Sequence, residues 1–300
     1  MPKINVSNDN EAPVEIYYSV IGTGPHKLFF VNGMGSISQQ WDYQVEYFSQ
    51  FEQFSICVFD NRGSGFSTAT PGRYTTSLLA KDAYKLIEHL EWETVHLVGL
   101  SMGGMISQEL AHMLKDRVAS LTLISTYSKF NGLPVPKSEE KFSPLKLAGS
   151  SFSVVRSLLK PPVRGGIEEF ADQTEWLEQN SKLPSKTHLT NYEVVRQFMI
   201  DRYSQTGLQS SAGRSGQRSA CLTHYFDKRL TELADYDYPK LVITGDSDSI
   251  VRQPASSQYL ADKLKAKLVI YPNGGHALRM QDPEWHNQTL MEHFLEAIHG

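Results

Sequence analysis

The chain has 300 residues, 40% of them hydrophobic and 21% charged, with 14 Phe, 14 Tyr and 4 Trp, which is ample material for a core and excludes disorder as the main state. Basic residues number 29 and acidic ones 33, a net charge of -4 that provides no broad electrostatic footprint for nucleic acid or an anionic membrane. No apolar run of 18 or more residues occurs, the first residues lack the apolar stretch of a secretion signal, and Cys57 and Cys221 form neither a disulfide framework nor a metal-ligand cluster; the expectation is a cytoplasmic protein with no stable membrane insertion.

Short β-branched or aromatic runs alternate with helical patterns, the signature of a mainly parallel sheet covered on both faces. The predicted strands are Val14 to Val20, Lys27 to Val31, Ser55 to Phe59, Thr94 to Gly99, Ser120 to Ser125, Leu241 to Thr244 and Leu268 to Tyr271. Behind Thr75, Thr76 and Ser77, residues Leu78, Leu79, Ala83, Leu86, Ile87 and Leu90 repeat at helical spacing. Pro254 and Pro283 open two further helices, the second capped by Asp282. From 131 to 228 the strand rhythm stops, and helix-like segments such as Ile167 to Gln179 and Tyr192 to Tyr203 appear. This division predicts a core over 1–130 and 229–300 with a helical insertion between. Within the insertion, the small polar tract Ser210 to Ser219 reads as a mobile loop.

Gly99-Leu100-Ser101-Met102-Gly103 follows an apolar strand and precedes a helical pattern containing Met105, Ile106 and Leu110. In this strand-turn-helix setting, G-x-S-x-G puts a serine in a strained turn where neighbouring side chains would clash, and sets the Met102 N–H beside the hydroxyl. Such a hydroxyl needs a base, and the base an acid. One strand ends in Gly245-Asp246-Ser247-Asp248, another in Asn273-Gly274-Gly275-His276, both at carboxyl ends, where open α/β sheets place ligands. His276 has a glycine-flanked setting after a strand, whereas His89, His112, His286 and His293 fall on predicted helices as surface or packing residues.

Together GLSMGG, FDNRGSGFS, GDSDSIV and GGHAL resemble a serine hydrolase of the α/β-hydrolase superfamily, of the capped esterase and lipase-like type. The resemblance implies an α/β-hydrolase fold whose insertion is a helical cap, with Ser101 as nucleophile, His276 as base and Asp248 as acid, while Asp246 is a loop residue. It also implies an oxyanion hole from the N–H groups of Met34 and Met102, in a Val31-Asn32-Gly33-Met34 run where Asn32 stands in place of the usual histidine. The turn Asp60-Asn61-Arg62-Gly63-Ser64-Gly65 is expected to brace the site without reacting.

Asn32, Gly33, Tyr127 and Leu278 are the expected substrate contacts. Met34, Phe66, Met102, Tyr127 and Leu278 make the surroundings mainly apolar, Arg252 and Arg279 being the nearest cations. The expected substrate is a small neutral, apolar carboxylic ester, cleaved through an acyl-serine. Thioester, amide or carbon-carbon cleavage and a cofactor-free haloperoxidase reaction would use the same triad, and a receptor with little turnover would retain it. No phosphate-loop, dinucleotide or metal motif occurs, so no cofactor or metal is expected. Oligomeric state is not encoded in these motifs.

Overall fold

A computed structural model of the chain describes residues 1–8, 12–129, 179, 188–207, 209–248, 250–251 and 255–300. Eight strands form one sheet: β1 (Lys3–Asn5), β2 (Glu15–Ile21), β3 (His26–Val31), β4 (Phe54–Phe59), β5 (Val95–Leu100), β6 (Val118–Ile124), β7 (Lys240–Gly245) and β8 (Lys267–Tyr271). Their spatial order is β1-β2-β4-β3-β5-β6-β7-β8. β2 runs antiparallel to both β1 and β4, and the remaining pairs are parallel. The short β1 has no counterpart in the apolar pattern, because its three residues are largely exposed.

Side chains alternate along β3: Leu28 and Phe30 enter one core cluster, Phe29 and Val31 the other. A strand buried on both faces reads as a continuous apolar run, so β3 to β7 were legible without polar alternation. The described α-helices are α1 (Asp42–Phe48), α2 (Thr76–His89), α3 (Met102–Leu114), α4 (Asn191–Thr206), α5 (Ser211–Thr223), α6 (Leu230–Ala234), α7 (Ala255–Leu264), α8 (Leu278–Gln281) and α9 (Pro283–His299). The caps follow hydrogen-bond chemistry: Thr75 Oγ1 accepts from Leu78 N at 3.0 Å, and Asp282 Oδ1 accepts from Trp285 N at 3.0 Å. The Ile167 to Gln179 helix and the Pro254 helix start lie outside the described residues, except for Gln179. None of the described helices is long and apolar enough to cross a membrane.

The tract Ser210 to Ser219 is a helix start, not a loop. Ser210 Oγ caps α5 by accepting from Gly213 N at 3.1 Å. Glycine and serine suggest flexibility, yet here they permit contact: a Cβ on Gly213 would collide with the Gly63 carbonyl, and one on Gly216 would lie 2.6 Å from the Tyr74 ring. Tertiary packing overrides the weak helix propensity of these residues. Just after this helix, Tyr225 forms a bridge with Lys129, and Phe226 N donates to Ser128 O at 2.7 Å.

Four histidines are packed neutral into this fold. Burial pushes His96, His224 and His286 down to about 3 and His293 to about 4, with a smaller contribution from His26 at His96, Arg229 at His224, Arg279 at His286 and Lys267 at His293. In the unfolded chain an imidazole takes up its proton near pH 6.5, so below that pH the unfolded state binds protons that the native state refuses. Each histidine therefore costs stability, on the order of 1 kcal/mol per pH unit, until its folded value is reached. The melting temperature should fall by more than about 5 °C between pH 7 and pH 5. A level melting temperature over that interval in a thermal-denaturation series would contradict this.

Candidate active site

Ser101 follows β5 and precedes α3 with φ 55° and ψ -119°, a backbone conformation that costs a non-glycine residue about 1–3 kcal/mol. The surrounding packing enforces it. A Cβ on Gly99 would strike the Gly103 carbonyl and Ser107 Oγ, and one on Gly103 would strike the Val31 carbonyl. Both glycines thus let α3 press against the ends of β5 and β3. Ser101 N donates to Ile124 O at 2.9 Å, and Thr126 Oγ1 donates to Ser101 O at 2.8 Å, which tie the turn to β6 and the residues after it.

Two loops farther along the sheet meet beside each other. A Cβ on Gly245 would run into the Gly274 carbonyl, and Ser247 N donates to Gly274 O at 3.0 Å. This stitching brings His276 Nδ1 to 3.0 Å from Asp248 Oδ2, while Asp248 Oδ1 accepts from Ile250 N at 3.0 Å and Val251 N at 2.9 Å. Burial pushes the Asp248 carboxyl up, but the neighbouring His276, its hydrogen bond, the Val251 N–H and the Ser125 hydroxyl outweigh it and hold the carboxyl below its ordinary value. Asp248 is thus an ionised acceptor, so His276 Nδ1 is the nitrogen that donates to it. Asp246 is exposed and accepts from Ser247 Oγ at 2.9 Å.

Gly33 lies against the Ser101 turn: a Cβ there would be 3.5 Å from Ser101 Cβ. Gly33 O accepts from Ser36 N at 3.3 Å, and the Met34 N–H lies within this turn. The Met102 N–H opens α3, where a helix has no acceptor of its own. Asn32 is 1% exposed and its Nδ2 donates to Phe59 O at 2.6 Å, while Asn61 Nδ2 donates to Asn32 O at 2.9 Å. The amide therefore faces β4 and shapes the turn from behind. Asn32→Ala should lower activity by less than about 100-fold, below the loss of a whole oxyanion donor; steady-state kinetics showing a larger fall in a folded variant would make the side chain itself a donor.

The expected substrate contact by Leu278 is corrected by its burial. It is 1% exposed and belongs to the core cluster of Trp41, Ile243 and Leu290, because α8 starts there and turns the side chain inward. The Met102 side chain is likewise in the core, leaving its N–H as the group of interest. Tyr127 is buried with Met105 and Val251, and Phe66 packs edge-on against Tyr17 with ring centroids 5.2 Å apart. Arg279 is buried too: Nε donates to Gln40 O at 3.2 Å, Nη2 to Gln40 Oε1 at 2.9 Å, and the guanidinium sits 5.3 Å from the Trp41 ring centre. Burial lowers its pKa to about 10, so it remains a cation, engaged by Gln40. Arg252 lies outside the described residues.

The Asp60 turn is a brace. Asp60 Oδ1 accepts from Ser38 N at 2.6 Å and Oδ2 from Phe66 N at 2.9 Å, and Arg62 makes a two-pronged buried pair with Asp82 at 2.7 and 2.8 Å. Two positioning residues carried no sequence signal: Thr126 beneath Ser101, and Gln281, whose Oε1 accepts from Gly275 N at 2.7 Å. Among the described residues, no group of three or more His, Cys, Asp or Glu could hold a metal ion.

The pattern of the alpha/beta hydrolase fold family matches residues 28–283. The chain belongs to the α/β-hydrolase family. A Synechocystis sp. relative, provisionally named as a non-heme chloroperoxidase, is 25% identical to this hydrolase over 298 residues, covering 97% of this chain and 99% of the relative. The 3-oxoadipate enol-lactonase 2 of Acinetobacter baylyi is 32% identical over 117 residues, 39% of this chain and 43% of its own. In three dimensions the α/β hydrolase is similar to an esterase from Thermogutta terrifontis, with a TM-score of 0.70, 22% identity and 99% of each chain covered; that likeness concerns the fold.

Proposed function

We propose that this hydrolase cleaves a small neutral, apolar carboxylic ester through an acyl-serine on Ser101. The observation that carries the reading is the strained Ser101 turn at the end of β5, in the same sheet as a buried Asp248–His276 pair at 3.0 Å beyond β7 and β8. His276 Nε2 takes the Ser101 hydroxyl proton as Oγ bonds to the ester carbonyl carbon, and Asp248 stabilises the resulting imidazolium. The carbonyl oxygen becomes an oxyanion held by the N–H groups of Met34 and Met102. Collapse breaks the bond to the alcohol oxygen, which leaves with the proton from His276. Water then attacks the acyl-serine by the same route, giving the free acid and restoring Ser101.

Engagement of the buried Arg279 by Gln40 supports a neutral substrate, and the apolar side chain of Met34 supports an apolar acyl group. The bridge between Lys129 and Tyr225, near the two ends of this stretch, supports a cap formed by 131–228. Two free cysteines suit a reducing cytoplasm. The deciding experiment is hydrolysis of acetyl through octanoyl esters and of a succinyl ester. Each methylene buried should raise kcat/KM by about fourfold until the pocket is full, and the succinyl ester should be poor. Flat dependence on length with a preference for the anion would overturn the substrate class.

A second reading is supported by the name of the Synechocystis relative: peroxide in place of water releases the acyl group as a peracid. Peroxide-dependent peracid formation from the same esters would favour it; free acid as the sole product would leave hydrolysis.

A further inference from the structure

We propose that Gln217 is a positioning residue that sets the oxyanion donor of Met34 from helix α5. The inference rests on the acyl-serine reading and adds to it a residue about 115 positions beyond the nucleophile turn.

Gln217 is fully buried, and its amide is saturated. Oε1 accepts from Gly35 N at 2.9 Å and from Gln209 Nε2 at 2.9 Å, while Nε2 donates to Arg62 O at 2.9 Å and to Ser64 Oγ at 2.8 Å. Two donors and two lone pairs are the whole capacity of an amide. A fully satisfied buried group of this kind specifies one arrangement of the segments it joins. Here the segments are the Met34 turn and the Asp60 brace.

The orientation of the Met34 N–H follows from peptide geometry. In a planar trans peptide the Met34 N–H points opposite to the Gly33 carbonyl, and that carbonyl is committed to Ser36 N at 3.3 Å. On the other side of Met34, the next peptide is anchored by the Gly35 N–H on Gln217. Gly35 has φ 71°, and a Cβ there would lie 3.4 Å from Gln209 Oε1, so the turn is closed against the glutamine pair. With both flanking peptides fixed, little freedom remains at Met34.

The anchor comes from one stripe of α5. Gly213, Gln217 and Cys221 recur at intervals of four and share a helix face: Gly213 permits contact with Gly63, Gln217 makes the four bonds, and Cys221 Sγ lies 4.0 Å from Met34 Sδ. The small residues that disguise this helix as a loop bring its backbone close enough for Gln217 to reach Gly35.

Gln217→Met keeps the length of the side chain and removes the anchor. The test compares it with wild type in kcat per site, counted by end-point fluorophosphonate labelling of Ser101, in KM, and in affinity for a trifluoromethyl ketone that mimics the tetrahedral adduct. The expected result is a fall in kcat of about 10- to 100-fold, below the loss of a whole donor, with KM within about twofold and ketone affinity reduced in parallel with kcat. Gln217→Asn, whose amide is one methylene shorter, should show the same split less strongly, and it carries the test if Gln217→Met does not fold. Unchanged kcat per labelled site, or a rise in KM alone, would overturn the positioning role while leaving the acyl-serine reading intact. Absence of label on wild-type Ser101 would overturn both.

Discussion

Ser101→Ala should lower kcat by a factor on the order of 1,000 or more and abolish labelling by a fluorophosphonate, because the proposed covalent step has no other nucleophile. The substitution should be gentle to the fold. The turn is held by Ser101 backbone atoms, through the bonds to Ile124 O and from Thr126 Oγ1, and alanine adds no Cβ that serine lacks. Loss of turnover with an unchanged melting temperature is therefore the expected pair of measurements. Retained turnover, or label on another serine, would remove Ser101 from the mechanism.

Asp248→Asn should reduce kcat by about 10,000-fold, while Asp246→Asn should stay within severalfold of wild type. The difference follows from burial and bonding. Asp248 accepts from two N–H groups and from His276 Nδ1, whereas Asp246 is exposed and bonds Ser247 Oγ. An asparagine at 248 can present its NH2 to His276, favouring the tautomer that puts the proton on Nε2, where it cannot accept from Ser101. Equal losses in the two variants, compared by kcat at one pH, would show that the acid has been assigned to the wrong aspartate.

The central strands were legible because a strand buried on both faces has no polar alternation to dilute it, as in Phe54–Phe59 and Val95–Leu100. The Ser101 turn was legible for a steric reason: Gly99 and Gly103 are each required by a neighbouring carbonyl, and that requirement leaves its trace in the spacing. Helix α5 was illegible because its glycines record proximity to Gly63 and Tyr74, which lie about 140 to 150 residues away in the chain. Leu278 was misread because nearness to His276 in sequence says nothing about direction once a helical turn intervenes; its side chain enters the core below. Thr126 and Gln281 act by hydrogen bonds to backbone atoms of Ser101 and Gly275, and such roles leave no pattern in a single sequence.

In the proposed reaction an acyl group passes through Ser101. The direct measurement is rapid acid quench of the enzyme during turnover of an apolar ester, followed by peptide mass mapping. The expected result is a mass gain equal to the acyl group on the peptide that contains Ser101, disappearing as substrate is exhausted and absent from Ser101→Ala. Turnover with no acyl adduct at any quench time, or an adduct on a different residue, would contradict it.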